Sequence, residues 1–507
     1  MPKKPLGCNR SSPSRVLNSE GLAYRRYWML TPLPAQKWSF ETAAHLLNRA
    51  AFGGTPEEIE AVQNDGLDAA VHRALYPADQ PTDDNDDFHA WTIPDNIRDR
   101  RLNLGKLEAN PTEKLKLIRE SQMEQRDETA ELRFWWLSRM KETKAPLVEK
   151  MTLFWHGHFA TSAAKVQNAY WMWGQNETFR RNALGNFERL LKEISRDPAM
   201  MIFLDLAQNQ KKHPNENWAR EVMELFTLGI GHYSEQDIRE SARAFTGYRV
   251  DLTNQQFRYA PGQHDPGRKR FMGHSGNFSG DDILGIILQQ PACPELIGYK
   301  LWRFFVEDEP PPDMVSAMAD ALRKSDFELR PVLREMFSSA EFYSARVIRS
   351  QIKSPIQFLI QTCKLIETDL PWQQITQTAL QLMGQLPFAP PSVKGWDGGK
   401  SWISTSTLLF RYNFTNYLLR GTANRPSAPA TLRRAPIDLS KIIPSELRDR
   451  PTELVANLAR RLFQAEPSAK QTEIFLAYLK TQAPDHGDET IRSLLHLMMS
   501  TPQYQLT

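Results

Sequence analysis

The sequence has few cysteines and no long apolar run. Its three cysteines, Cys8, Cys293 and Cys363, are odd in number and far apart, which excludes a disulfide framework and a thiolate zinc site. No stretch approaches the roughly 18 uninterrupted apolar residues that a membrane helix needs, so we expect no membrane span. Any metal ion must therefore be bound by His, Asp or Glu.

Three common enzyme signatures are also missing. The chain has no Gly-x-Ser-x-Gly elbow, no glycine-rich dinucleotide fingerprint and no nucleotide-binding loop. These absences argue against a serine hydrolase of the usual kind and against an NAD-dependent enzyme.

A net excess of basic charge is absent outside the N-terminus. The net charge is +3, yet the first 28 residues alone carry about +5, from Lys3, Lys4, Arg10, Arg15, Arg25 and Arg26 against Glu20. The rest of the chain is thus nearly neutral. Because a nucleic-acid surface concentrates basic residues on one face, we expect no nucleic-acid partner.

The remaining composition is that of an ordinary globular protein, with 41% hydrophobic and 24% charged residues. Helix caps and apolar periodicity recur along most of it, whereas residues 248–280 alternate and are punctuated by glycine. We predict a mainly α fold, a large multi-helix array with a small irregular or β-hairpin excursion near 248–280.

The predicted organisation has four parts. Residues 1–37 form a basic, flexible extension, 38–421 the main helical domain, 422–437 a proline-rich linker, and 438–507 a helical subdomain packed on the main domain. No apolar segment follows Lys3 and Lys4, so the chain as written has no export signal and is expected to be cytoplasmic. Met29 is an alternative start.

Residues 213–233 carry the most specific polar pattern. Pro214 suits a first helical turn, and Gly229 and Gly231 suit a helix end, so we predict one α-helix over about residues 215–228. Glu221 and Glu224 share a stripe on it, from which they can bind a metal ion or act as general acid and base. A solvated acidic face is the alternative.

His156 and His158 flank Gly157 in an aromatic stretch. If Gly157 ends the helix there, both rings can converge as metal ligands. Alternatively, both histidines form hydrogen bonds in an aromatic core.

A third candidate lies in the excursion, where His264 and Asp265 precede the basic run Arg268-Lys269-Arg270. A loop on a rigid helical frame often holds function, and an adjacent His and Asp can bind a ligand or transfer a proton. A simple turn at Asp265-Pro266-Gly267 is the alternative.

In combination, five ordered motifs resemble the bacterial domain-of-unknown-function 1800 family: AHLLNRAAFG (44–53), FWHGHF (154–159), HPNENWARE (213–221), ARAFTGY (242–248) and KGWDGG (394–399). The resemblance implies a large helical protein, commonly exported and often encoded beside a sulfatase-like protein. Phe226 stands where many relatives carry His, which weakens a Glu-x-x-Glu-x-His ligand set.

Two hypotheses follow. The first is a metal-dependent hydrolase with a divalent ion bound by His156, His158, Glu221 and Glu224, and with Glu221, Glu224, His264 and Asp265 as catalytic groups. The second is a non-catalytic helical scaffold, the partner of a co-encoded sulfatase-like protein, in which these residues hold buried networks together. Glycan binding on the tryptophan-rich region is a third possibility.

Overall fold

The computed structural model describes residues 30–77, 91, 111–422, 434–482 and 487–507. These residues form 21 α-helices and two small antiparallel sheets, which confirms the predicted mainly α fold with its hairpin excursion. None of the helices described is long and apolar enough to cross a membrane.

The N-terminal part of the described chain is a helical hairpin with an attached leading segment. Ser39 and Thr55 each close a capping box, as predicted, at the starts of α1 (Phe40–Ala50) and α2 (Pro56–Asp65), and α3 (Leu67–Leu75) follows. Before α1, the Leu33 amide donates to the Ser338 carbonyl (2.9 Å). Residues near 33 are therefore joined to the body, unlike the flexible extension predicted up to residue 37. Residues 1–29 lie outside the described part.

The central helices begin with a long charged one. They are α4 (Pro111–Glu142), α5 (Pro146–His158), α6 (Ala163–Val166), α7 (Ala169–Arg181), α8 (Phe187–Ile194) and α9 (Pro198–Phe203). Helical periodicity over residues 176–194 favours one continuous helix, but the structure has two, because Asn186 caps a new helix by accepting hydrogen bonds from the Glu188 and Arg189 amides.

The excursion consists of two hairpins. After α10 (Asn217–Glu221), a π-helical stretch (Val222–Thr227) and α11 (Glu235–Ala244), strand β1 (Tyr248–Asp251) pairs with β2 (Gln256–Tyr259). Strand β3 (Lys269–Phe271) pairs with β4 (His274–Gly276). The β3–β4 turn has positive φ at both Met272 and Gly273, which is typical of a tight two-residue hairpin. The Met272 amide donates to Asp237 on α11 (2.8 Å), which fixes the hairpin to that helix.

The second half is again helical. It contains α12 (Gly280–Leu288), α13 (Ala292–Phe305), α14 (Pro312–Lys324), α15 (Leu329–Phe337), α16 (Pro355–Leu365), α17 (Gln373–Met383), α18 (Thr405–Arg420), α19 (Pro451–Phe463), α20 (Ala469–Lys480) and α21 (Asp488–Met499). Most of the predicted linker, residues 423–433, lies outside the described part.

Two large hydrophobic cores lie on either side of α5. One contains Trp155 together with Trp218 and Phe226, which belong to residues 213–233, called the acidic motif below. The other contains Leu153 together with α16, α17 and apolar residues of α19–α21. Helix α5 contributes to both, so its C-terminal residues, which carry the His-Gly-His motif, lie where the two cores meet.

Candidate functional site

The acidic motif begins later and ends differently than the sequence predicts. Helix α10 starts at Asn217, whose amide is bonded by the Asn215 side chain (2.9 Å), so Pro214 precedes the helix instead of lying in its first turn. From Val222 to Thr227 the chain is π-helical. The predicted single α-helix is therefore wrong in its second half, because wider i→i+5 bonding replaces the α-helical pattern.

Side chains from two other helices bind the C-terminal carbonyls of this π-helix. The last carbonyls of a helix have no partner within it. His158, the last residue of α5, donates from Nε2 to the Phe226 carbonyl (3.0 Å). Lys300 on α13 donates to the Leu225 carbonyl (2.6 Å) and to Nδ1 of His158 (3.1 Å). A cation at the negative end of a helix is favourable, so Lys300 and His158 together cap the acidic motif.

These contacts fix His158 as a neutral imidazole. Nε2 carries the proton because it faces a carbonyl, and Nδ1 accepts because it faces an ammonium group. Burial and the neighbouring Lys300 charge hold the pKa of His158 well below its usual value. Burial also lowers the pKa of Lys300 to about 7. A metal ion at either nitrogen of His158 would have to displace one of these bonds.

His156 faces away from His158. Helix α5 runs through Gly157 to His158, so the prediction that Gly157 ends the helix and lets both rings converge is wrong. On a helix, side chains two residues apart diverge by about 200°. Nε2 of His156 accepts the Phe388 amide proton (2.9 Å), and burial, reinforced by the charge of Arg133, lowers its pKa to about 3.

The loop that contains the KGWDGG motif (394–399) packs against His156 and Gly157. The Trp396 ring packs 5.7 Å from the His156 ring, and the Arg303 side chain on α13 donates to the Asp397 carbonyl (2.7 Å). Gly395 has a φ of +82°, and a Cβ on it would collide with the Gly157 carbonyl oxygen. Residues 156–158 thus form a joint in which each residue contacts a different partner; we call it the His-Gly-His joint.

Glu221 and Glu224 lie on the partly exposed side of the acidic motif. Tyr233 donates its hydroxyl proton to Glu224 (2.6 Å). Burial, and then the negative charge of Glu224, raises the pKa of Glu221, while Arg220 opposes this shift. The pKa of Tyr233 is also raised, by burial and by its bond to Glu224. The structure therefore brings the two predicted carboxylates together and adds a phenol that the sequence did not reveal.

His264 and Asp265 are engaged within the excursion. Nδ1 of His264 donates to the Thr246 carbonyl (3.0 Å). Arg243 on α11 donates from Nε to Asp265 (2.7 Å), and this contact, more than any other, lowers the pKa of Asp265. The Gly267 amide also donates to Asp265 (2.8 Å), which is the turn that the sequence offered as the alternative.

The structure does not assemble the predicted ligands into one metal centre. Within the described ranges, no three His, Cys, Asp or Glu side chains come together as a metal-ion site. His158 touches the backbone of the acidic motif, whereas the carboxylates of Glu221 and Glu224 are associated with Tyr233, and His156 is bound to the Phe388 amide. His158 and His156 therefore bond to backbone carbonyl and amide groups, and the predicted ligand side chains do not converge on one point.

Sequence reasoning missed Lys300 and the role of Asn48. Lys300 lies on α13 beside Ile297 and Leu301, which are fully buried, a pattern that marks a lysine directed inward. Asn48 belongs to the first motif and is 7% exposed. Its side chain accepts from Gln361 (2.8 Å) and donates to Gln464 (2.7 Å), 416 residues away.

Asn48 is the middle of a directional hydrogen-bond chain. Each member donates to the next, from an ammonium group through four amide side chains to a backbone carbonyl: Lys150, Gln357, Gln361, Asn48, Gln464 and the Gly54 oxygen. The chain joins α1, α5 and α16 to the residue that follows α19. The neighbouring Arg49, also buried, donates to the Val347 carbonyl (3.0 Å) and the Phe305 carbonyl (3.4 Å).

The chain is a mainly α protein in which residues of the sequence motifs form contacts between helices. A family model described as a protein of unknown function (DUF1800) matches residues 45–506, so the chain belongs to that family. No curated protein matches the chain, and no solved structure matches it.

Proposed function

We propose that this protein is a non-catalytic helical scaffold that acts as a partner for another protein, and that its motifs hold the scaffold together. The observation that carries the proposal is the use of the motif side chains. Asn48, Arg49, His156 and His158 all bond to distant segments of the same chain. A catalytic group must reach its substrate, and all four of these side chains are buried.

The energetics favour the same role. A buried polar group that loses its partner costs about 1–3 kcal/mol, so each joint penalises any arrangement of helices that breaks it. The proposed partner is the sulfatase-like protein that the family resemblance places beside such genes. Two residues of the acidic motif are accessible to this partner. Tyr233 is partly exposed, and Ile230, between two glycines, is 80% exposed.

One observation favours a second function. Burial, and then the negative charge of Glu224, raises the pKa of Glu221, and Tyr233 bonds to Glu224. Two neighbouring carboxylates with different environments can divide the roles of acid and base. The second proposal is therefore a hydrolase centred on Glu221 and Glu224, with a divalent ion, if one is bound, held by these carboxylates and water.

Paired variants of the full-length chain separate the two functions. Under the scaffold proposal, His158→Ala lowers both the melting temperature and co-purification with the co-expressed sulfatase-like protein. His232→Ala, an exposed histidine near the same segment, changes neither. The double variant Glu221→Gln/Glu224→Gln stays folded and still binds the partner.

The hydrolase proposal predicts a different outcome. If the wild type hydrolyses a panel of carboxyl, phosphate and sulfate esters, and the double variant loses that activity without losing stability, the scaffold proposal fails. If the double variant behaves as the wild type in every ester assay and in elemental analysis for bound metal, the hydrolase proposal fails.

A further inference from the structure

The β3–β4 hairpin and α11 border an open cavity of about 540 Å³, which the scaffold proposal does not use. Four cationic side chains and one carboxylate line it, together with polar groups; the lining residues are Gln236, Glu240, Arg243, Arg268, Lys269, Arg270, Gly273 and Ser275. This volume lies within the usual range of about 300–1,000 Å³ for small-molecule sites. The cavity is therefore large enough for a compact ligand and strongly biased towards an anion.

The acidic groups around the cavity are paired with Arg243. Arg243 bonds to both Glu240 (2.8 Å) and Asp265 (2.7 Å). Glu240 also accepts the Arg270 backbone amide (3.1 Å). Because the cavity has four cationic side chains against these two carboxylates, an excess of positive charge remains there.

Lys269 holds the floor of the cavity in place. It is 1% exposed, and its ammonium group donates to the Asp265 carbonyl (2.7 Å) and the Gly267 carbonyl (3.1 Å). Burial lowers the pKa of Lys269, although Asp265 opposes this shift. The lysine therefore fixes the loop that leads into β3 while its charge lies directly beneath the cavity.

Arg268 and Arg270 are the groups available to a ligand. Arg270 lies on β3 and Arg268 directly precedes that strand, and both side chains line the cavity. Both are exposed, and among the described residues neither forms an ion pair with a carboxylate. Ser275, the register partner of Arg270 on β4, adds a hydroxyl to the same cavity.

We propose that this cavity binds a small ligand through a phosphate or sulfate monoester group, held by Arg268 and Arg270 with Ser275 as an additional donor. A guanidinium group matches a tetrahedral oxyanion because it presents two parallel N–H donors. Two guanidinium groups and a hydroxyl that line one cavity can together donate to three oxygens of such a group. The proposal is independent of the scaffold function, since none of these residues belongs to the His-Gly-His joint or the acidic motif.

Calorimetric titration of the full-length protein at low ionic strength tests the proposal, with inorganic phosphate, inorganic sulfate and chloride as probes. We expect saturable binding of phosphate or sulfate, and at least a tenfold loss of affinity in Arg268→Gln/Arg270→Gln. Arg258→Gln removes one positive charge from the neighbouring hairpin, outside the cavity, and should change affinity less than twofold. Preference for one anion identifies the ester, and equal binding identifies a general oxyanion site.

The charge-preserving variant Arg268→Lys/Arg270→Lys guards against a folding artefact. It keeps the net charge but loses the paired donors, so an intermediate affinity supports recognition by the guanidinium groups. Two results overturn the proposal: no saturable binding above the chloride control, or equal losses in the cavity variant and in Arg258→Gln.

Discussion

Replacement of Gly395 by Ala tests the contact between the glycine loop and the His-Gly-His joint. Gly395 has a φ of +82°, and a Cβ there would come closer to the Gly157 oxygen than the 3.0 Å that real Cβ atoms keep. Because the obstacle is backbone and not a flexible side chain, the loop itself must move away until the contact reaches about 3.4 Å.

The cost follows from what that movement breaks. The backbone strain of alanine at positive φ costs about 1–2 kcal/mol. Displacement of the loop weakens the bond from the Phe388 amide to His156, worth about 0.5–1.5 kcal/mol, and the packing of Trp396 on the His156 ring, worth about 0.5–1.5 kcal/mol. We therefore expect Gly395→Ala to destabilise the protein by about 2–5 kcal/mol.

Gly384→Ala is the matched control. Gly384 has a φ of +95°, and a Cβ there would meet nothing closer than the Trp402 ring at 4.0 Å. It carries the backbone cost alone, about 1–2 kcal/mol. Urea unfolding followed by tryptophan fluorescence and by circular dichroism measures both variants. If Gly395→Ala loses no more stability than Gly384→Ala, the close packing on Gly157 does not stabilise the fold.

Two further predictions concern the buried networks. Asn48→Ala removes the acceptor of the Gln361 amide group and the donor to the Gln464 oxygen, so we expect a loss of about 2–4 kcal/mol in urea unfolding and faster proteolytic release of the C-terminal helices; a loss below about 1 kcal/mol would show that the amide chain is not a unit. Burial lowers the pKa of Lys300 to about 7, so above pH 7 the folded state binds fewer protons than the unfolded state, and stability should rise with pH. Between pH 7.0 and 8.5 this rise should be about 1 to 2 kcal/mol smaller in Lys300→Met than in the wild type; identical pH profiles would contradict the lowered pKa of Lys300.

Local interactions made much of the fold predictable. Ser39, Thr55 and Ser234 each cap a helix through a residue three positions along, so a short window of sequence contains the whole interaction. The alternation and glycines of residues 248–280 likewise predicted hairpins. The break before α8 was missed because Asn186 serves as an N-cap inside a stretch that is helical on both sides.

The candidate site was less predictable because its partners are remote in sequence. His158 bonds to a residue 68 positions away and His156 to one 232 positions away. Gly157 allowed both a helix end and a continued helix, and in the structure the helix continues to His158. The identity of the polar residues could be read from the sequence, but the direction in which each side chain points could not.

This difficulty has a physical origin in how a large helical array fixes its arrangement. Apolar faces pack in several registers with similar energies, whereas a buried amide or ammonium group is satisfied only in the register that supplies its acceptor. Lys150 donates to Gln357, Lys300 donates to His158 and Leu225, and the Lys353 ammonium lies 4.2 Å from the Tyr504 ring centroid. All three lysines have pKa values lowered to about 7 by burial, a cost that apolar residues would avoid. Each of these lysines lies at a contact between distant segments and favours the one arrangement of helices that supplies its partner. Polar residues of the kinds found in active sites can therefore stabilise contacts between helices.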